Sequence, residues 1–184
     1  MKQLLSVILL AVLFTGFINA QGKMAVGIQA GIALPMGDFG DGFDMGFGGT
    51  GTFAYHINPM LDVTGSVGYL TWGAKEGDAT FSSIPVLFGA RYYFGKDKFN
   101  PYAAAELGIH FSTVDIPEVI IPGVGTFGGG SESGSDFGFG VGAGFLYQLG
   151  PKLALDVNAK FNSISSSGSS SSYISVMAGV LIAL

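Results

Sequence analysis

The chain of 184 residues contains no cysteine. Disulfide frameworks, thiolate nucleophiles and cysteine-ligated zinc are therefore excluded. Charge is scarce as well: Asp, Glu, Lys and Arg make up 11% of the residues, against roughly 25% in ordinary soluble domains. The basic side is the poorer, with 8 Lys and Arg against 13 Asp and Glu, which argues against nucleic acid as a partner. Beyond residue 20 no run of 18 apolar residues occurs, so no membrane-spanning helix is predicted there.

What is present is apolar all the same. Mean hydropathy is +0.50, glycine reaches 31 residues, and Phe and Tyr contribute 16 and 7. The first twenty residues explain only part of this. Lys2 precedes an apolar run from Leu4 to Phe14 broken only by Ser6, and Asn19-Ala20-Gln21 supplies a small-residue exit. This is the pattern of a cleaved secretory signal over residues 1–20. Residues 21–184 are then one exported domain. A chain this apolar without a spanning helix is expected to alternate its apolar residues with small or polar ones, as a transmembrane β-barrel does.

The alternation is present in eight segments of about ten residues, the length a tilted strand needs to cross a bilayer. In the first, Met24, Val26, Ile28, Ala30, Ile32 and Leu34 oppose Ala25, Gly27, Gln29, Gly31 and Ala33. Similar segments lie at 45–55, 61–71, 84–94, 103–111, 137–148, 153–162 and 174–182. The predicted fold is all-β, an eight-stranded antiparallel transmembrane up-and-down barrel, closed because an open sheet edge in lipid leaves backbone groups unpaired. Connections alternate in length. Short turns fall at His56–Met60, Gly95–Asn100 and Gly150–Lys152, with longer loops at 35–44, 71–80, 112–135 and 163–172. Short turns belong in the periplasm and long loops outside. Tyr55, Tyr92, Phe94, Tyr147 and Phe161 near strand ends suit an interfacial girdle. A soluble lipocalin-like barrel with an apolar lumen is the alternative; its outer stripe would be unusually small and glycine-rich for a solvated surface.

The stretches SSIPVLFGARYYFG (82–95), NPYAAAELG (100–108), DFGFGVGAGF (136–145) and LALDVNAKF (153–161) resemble the small outer-membrane β-barrel proteins of the OmpA- and OmpX-like superfamily, in Bacteroidetes-type versions. The resemblance covers essentially the whole mature chain. It implies residence in the outer membrane among lipid and lipopolysaccharide, delivery by the barrel-insertion machinery, and a monomer. Members usually end in an aromatic residue, whereas this chain ends in Leu184.

Arg91, Glu106, Asp156 and Lys160, with Asp62, share the lumen-facing parity. An eight-stranded barrel has a lumen just wide enough to fill with side chains, and buried charges there must pair. The expected pairs are Arg91 with Glu106 on neighbouring strands and Lys160 with Asp156 on one strand. A polar relay or narrow ion path is the alternative. His110, with Ser112 and Asp115 following, is expected at the outer rim, while His56 falls in a turn at the opposite end, so neither a catalytic triad nor a zinc site is predicted. The loop acids Asp38, Asp41, Asp44, Asp115, Glu118, Glu132 and Asp136 are read as solubilising charge, with weak divalent-cation binding as the alternative. Val119, Ile120, Ile121 and Phe127 in the longest loop are the candidates for contact with an extracellular partner. The serine-rich 163–172 segment is expected to be a flexible loop.

One stretch suggests a different chemistry. GFGGTG (46–51) matches the spacing of a dinucleotide-binding turn, but such a turn follows a strand and opens a helix. Here TFAYHINP follows, which alternates and then turns. The glycines are read as barrel wall, and no cofactor is expected. The functional expectation is a non-enzymatic structural or surface-interaction protein, with a narrow pore or lateral-path transporter for small molecules as the alternative.

Overall fold

A computed structural model describes residues 24–95, 97–121, 125–166 and 169–184, without the side chains of 119–121, 125–128 and 169. The expected signal segment, residues 1–20, lies outside the described residues. The strands are β1 (Met24–Met36), β2 (Gly46–Asn58), β3 (Leu61–Gly73), β4 (Thr80–Tyr93), β5 (Phe99–Ile121), β6 (Gly125–Gln148), β7 (Leu153–Ser166) and β8 (Ser169–Ala183). One five-residue helix, α1 (Asp38–Gly42), joins β1 to β2. Every strand pairs antiparallel with its neighbours in sequence, and β1 closes on β8 from Ala25↔Ala183 to Met36↔Ser172. The eight-stranded up-and-down barrel is as the period-2 pattern predicts.

Burial is inverted relative to a soluble barrel. Ile28, Phe47 and Phe88 point outward and are 70%, 66% and 65% exposed, whereas Asp62, Asp156, Arg91 and Glu106 are buried inside. The alternating stripes therefore place apolar surface on the outer wall and polar groups in the lumen, the arrangement of a barrel that meets lipid. The lipocalin-like alternative requires the opposite.

GFGGTG forms the start of β2, with Gly48 opposite Leu70 of β3 and Gly31 of β1. A Cβ on Gly48 would collide with the Tyr69 carbonyl, and one on Gly179 with that of Ile28. These glycines allow close backbone approach in a narrow wall, in place of a phosphate cradle. Pro85 has a comparable local effect. The β3–β4 ladder runs to Val67↔Val86 and resumes at Leu70↔Ser83, because proline lacks the N–H that the missing rung requires.

The strands exceed the expected ten residues. They are 13 residues long in β1 and 24 in β6, and two expected loops are paired strand. The 112–135 segment continues as the β5–β6 hairpin out to Ile121↔Gly125. The 163–172 segment forms the β7–β8 ladder out to Ser166↔Ser169. Glycine and serine have low strand propensity, but a hairpin already in register imposes its pairing on them.

Candidate functional site

The interior is a stack of layers. At the end holding the short turns and both described termini, Arg91 Nη1 donates to Asp156 Oδ2 at 2.8 Å, and Tyr102 Oη donates to Asp156 Oδ1 at 2.6 Å. The Arg91 guanidinium also lies 5.0 Å from the Tyr102 ring centre. Tyr93 packs edge-on against Tyr102 at 5.6 Å and donates to Asp62 Oδ2 at 2.8 Å, while Asp62 Oδ1 meets His56 Nδ1 at 2.5 Å. Arg91 and Asp156 side chains are each 2% exposed. Two carboxylates, one guanidinium, two phenols and an imidazole thus fill the cross-section. The buried charges persist there because Arg91 and Asp62 each have a charged or hydrogen-bonding partner, while Arg91 Nε has none among the described residues.

The next layer holds Lys160, whose Nζ donates to Glu106 Oε2 at 2.7 Å. Asn162 Nδ2 donates to Ser175 Oγ and to the Lys160 carbonyl, both at 3.0 Å. The void left beside this pair is only about 20 Å³, room for about one water.

The four lumen residues singled out by parity are therefore all inside and all paired, with the partners exchanged from expectation. Arg91 takes Asp156 and Lys160 takes Glu106. Lys160 and Asp156 are four residues apart on one strand, roughly 13 Å at ~3.3 Å per residue, too far to touch. Arg91 lies opposite Ala104, and Glu106 opposite Gly89, so tilt sends the two side chains to different levels. Both ion pairs cross from the β4–β5 wall to β7.

Above the Lys160 layer an aromatic stopper fills the end bearing the long hairpins. Phe39 of α1 is folded into the mouth against Phe43, Trp72 and Phe81, with ring centres 5.0, 5.4 and 5.2 Å away. Trp72 is 1% exposed, packs on Tyr173 at 5.2 Å and donates its Nε1–H to the Ala33 carbonyl. The first loop is thus a plug, a feature sequence reading missed. The alternation of Phe39 with Gly40 and Gly42 gives no sign of which way the ring points. The His56–Asp62–Tyr93 chain was also missed, although Asp62 and Tyr93 carry the lumen parity.

His110 contradicts its expected rim position. It is fully buried in the lumen, with Nδ1 3.4 Å from Ser83 Oγ and no partner for Nε2 among the described residues. β4 and β5 stay paired beyond it as far as Thr80↔Asp115, so a residue expected at the edge lies well inside the barrel. Ser83 is also fully buried, and its Oγ accepts from Ser112 Oγ at 3.5 Å.

Cavities open at both ends, about 460 Å³ beside His56 and Asp62 and about 320 Å³ beside Glu132 and Asp136. The hairpin end is acidic: Asp38, Asp41, Asp44, Glu76, Asp78, Asp115, Glu118, Glu132 and Asp136 face Lys75 as the one basic residue there among the described residues. The backbone of Val119, Ile120, Ile121 and Phe127 lies at the tip of the β5–β6 hairpin; their side chains lie outside the described residues.

A closed eight-stranded barrel with an apolar outer wall and a paired polar lumen defines an integral outer-membrane β-barrel protein. The chain belongs to the outer membrane protein beta-barrel domain family, whose model matches residues 6–180, and it resides in the bacterial outer membrane. No curated protein matches it by sequence. Neisserial surface protein A is similar in structure, at TM-score 0.65 and 23% identity over 88% of this chain and 97% of that one. Ail, the attachment invasion locus protein of Yersinia pestis, follows at 0.56 and 18%, covering 88% and 99%. OprG from Pseudomonas aeruginosa follows at 0.52 and 16%, covering 89% and 97%. Ail has also been solved with the heparin analogue sucrose octasulfate. At these identities the likeness is one of fold.

Proposed function

We propose that this chain is a structural and surface-interaction protein whose barrel is a sealed anchor and whose hairpin end makes the contacts. The observation that carries this reading is the stacked closure of the lumen by the Arg91–Asp156 network, the Lys160–Glu106 pair and the Phe39–Trp72 stopper. It is a monomer among lipid and lipopolysaccharide, placed there by the barrel-insertion machinery, with its short turns in the periplasm and its hairpins outside. It performs no catalysis. Val119, Ile120, Ile121 and Phe127 at the tip of the longest hairpin contribute apolar contact.

The hairpin end of this chain is acidic. A polyanion of the heparin type would meet like charge here, and like charges facing each other suppress association. The preferred partner is cationic.

Planar-bilayer recording tests the reading. The expected result is a flat baseline at moderate voltage. Steady, sequence-dependent channels would establish the narrow-pore alternative instead.

A further inference from the structure

The β5–β6 hairpin outruns both of its neighbours. β4 accompanies β5 only as far as Thr80↔Asp115, and β7 accompanies β6 only as far as Ser165↔Phe137. Two backbone edges therefore project without a strand partner among the described residues. An exposed edge offers a row of N–H and C=O groups to any extended chain, and proteins blunt such edges with proline or lysine. Pro117 does this on β5. The β6 edge, TFGGGSESGSD over 126–136, carries neither residue, and its only charges are the acids Glu132 and Asp136, which repel an acidic strand but not a basic one.

Beside that open edge lies the vestibule of about 320 Å³. Glu132 and Asp136 line it from β6, and Phe81, Val114 and Ile164 supply apolar walls. Between the two carboxylates sits Gly134, where a Cβ would meet nothing nearer than Asp136 Oδ2 at 4.0 Å. Neither carboxylate has an ion-pair or hydrogen-bond partner among the described residues.

We infer that the β6 edge near residues 131–135 is a strand-addition site for an extended basic peptide segment, one of whose Lys or Arg side chains enters the vestibule between Glu132 and Asp136. Main-chain hydrogen bonds to the free edge supply the attachment, and side-chain pockets alternate along the added strand. The aliphatic stem of the basic residue lies on Phe81 and Val114 while its charged head meets the carboxylates. A second copy of the chain is disfavoured at this edge, because it would bring the same two acids to it. This inference rests on the surface-contact reading and names its partner class.

The test uses the folded full-length barrel in neutral detergent and fluorescence anisotropy of labelled ten-residue peptides. Alternating Lys-Thr is the probe. Alternating Lys-Pro keeps its charge but removes backbone donors, and alternating Glu-Thr keeps its strand propensity but reverses the charge. Lys-Thr is expected to bind, Lys-Pro to bind at least about tenfold more weakly, and Glu-Thr not at all. Glu132→Gln and Asp136→Asn should each weaken Lys-Thr about two- to fivefold, as for a rim ion pair, with heat-modifiable gel migration confirming that both variants fold. Equal binding of Lys-Thr and Lys-Pro, indifference to both substitutions, or no binding of Lys-Thr would each overturn the inference. So would concentration-dependent dimers of the peptide-free barrel that Glu132→Lys strengthens. None of these results bears on the sealed lumen, which conductance alone decides.

Discussion

The two ends of this barrel treat charge in opposite ways. At the turn end, carboxylates, guanidinium and phenols lie buried within hydrogen-bonding distance of one another, with the half-buried His56 imidazole at their edge. At the hairpin end, acids are numerous, exposed and mostly without basic partners, and closure is left to aromatic rings. Pairing is obligatory where water is excluded, since an isolated buried charge costs several kcal/mol. Where water remains, charge is cheap to leave single and available for a partner. The inner layer therefore belongs to stability, and the outer end to contact.

The turn end is most vulnerable at Asp156. Asp156→Leu strands Arg91 and the Tyr102 hydroxyl in the lumen, and unfolding in phospholipid vesicles should lose about 3–5 kcal/mol. The double variant Arg91→Met with Asp156→Leu should recover more than half of that loss. A double variant no better than the single would show that the network acts through packing alone.

Gly179→Val ranks next. Its side chain would run into the Ile28 carbonyl, and overpacking of this kind costs about 1–3 kcal/mol. Gly130→Val, on the hairpin with open space around it, should change stability by less than about 0.5 kcal/mol. The folded fraction on an unheated gel ranks the two, and equal losses would mean that hairpin and wall are one cooperative unit.

Phe39→Ala should have a small global effect, about 1 kcal/mol or less, because a short loop helix opens locally without the barrel. Its signature is optical. Trp72 is the single tryptophan and touches the Phe39 ring, so its emission should move to the red and become quenchable by aqueous acrylamide. An unchanged spectrum would remove Phe39 from the stopper. The Asp156 variant, while folded, should leave Trp72 emission where it is.

Smallest of all, Glu132→Gln should leave the unfolding free energy within about 0.5 kcal/mol of the parent. A larger shift would assign Glu132 a structural role at the rim and erase the distinction between the two ends.

Much of the wall was legible from residue order. Strand number, antiparallel order, inward and outward parity and the membrane-facing stripe all follow from local alternation, which is a property of each segment alone. The lumen residues Arg91, Glu106, Asp156 and Lys160 were legible for the same reason. Their partners were not. The 112–135 and 163–172 segments read as loops because Gly and Ser carry little strand signal, yet paired neighbours extend the ladder through them. His110 was misplaced by the same shortening of β5.

Local alternation alone thus closes this chain into an eight-stranded barrel with polar groups inside, because a period of two has only one way to satisfy lipid outside and backbone pairing within. That Arg91 meets Asp156, that Lys160 meets Glu106 and that Phe39 stops the mouth follows from the closed barrel and not from any one segment. Tilt and stagger of the strands set which levels face each other across the lumen, and those quantities belong to the closed sheet as a whole.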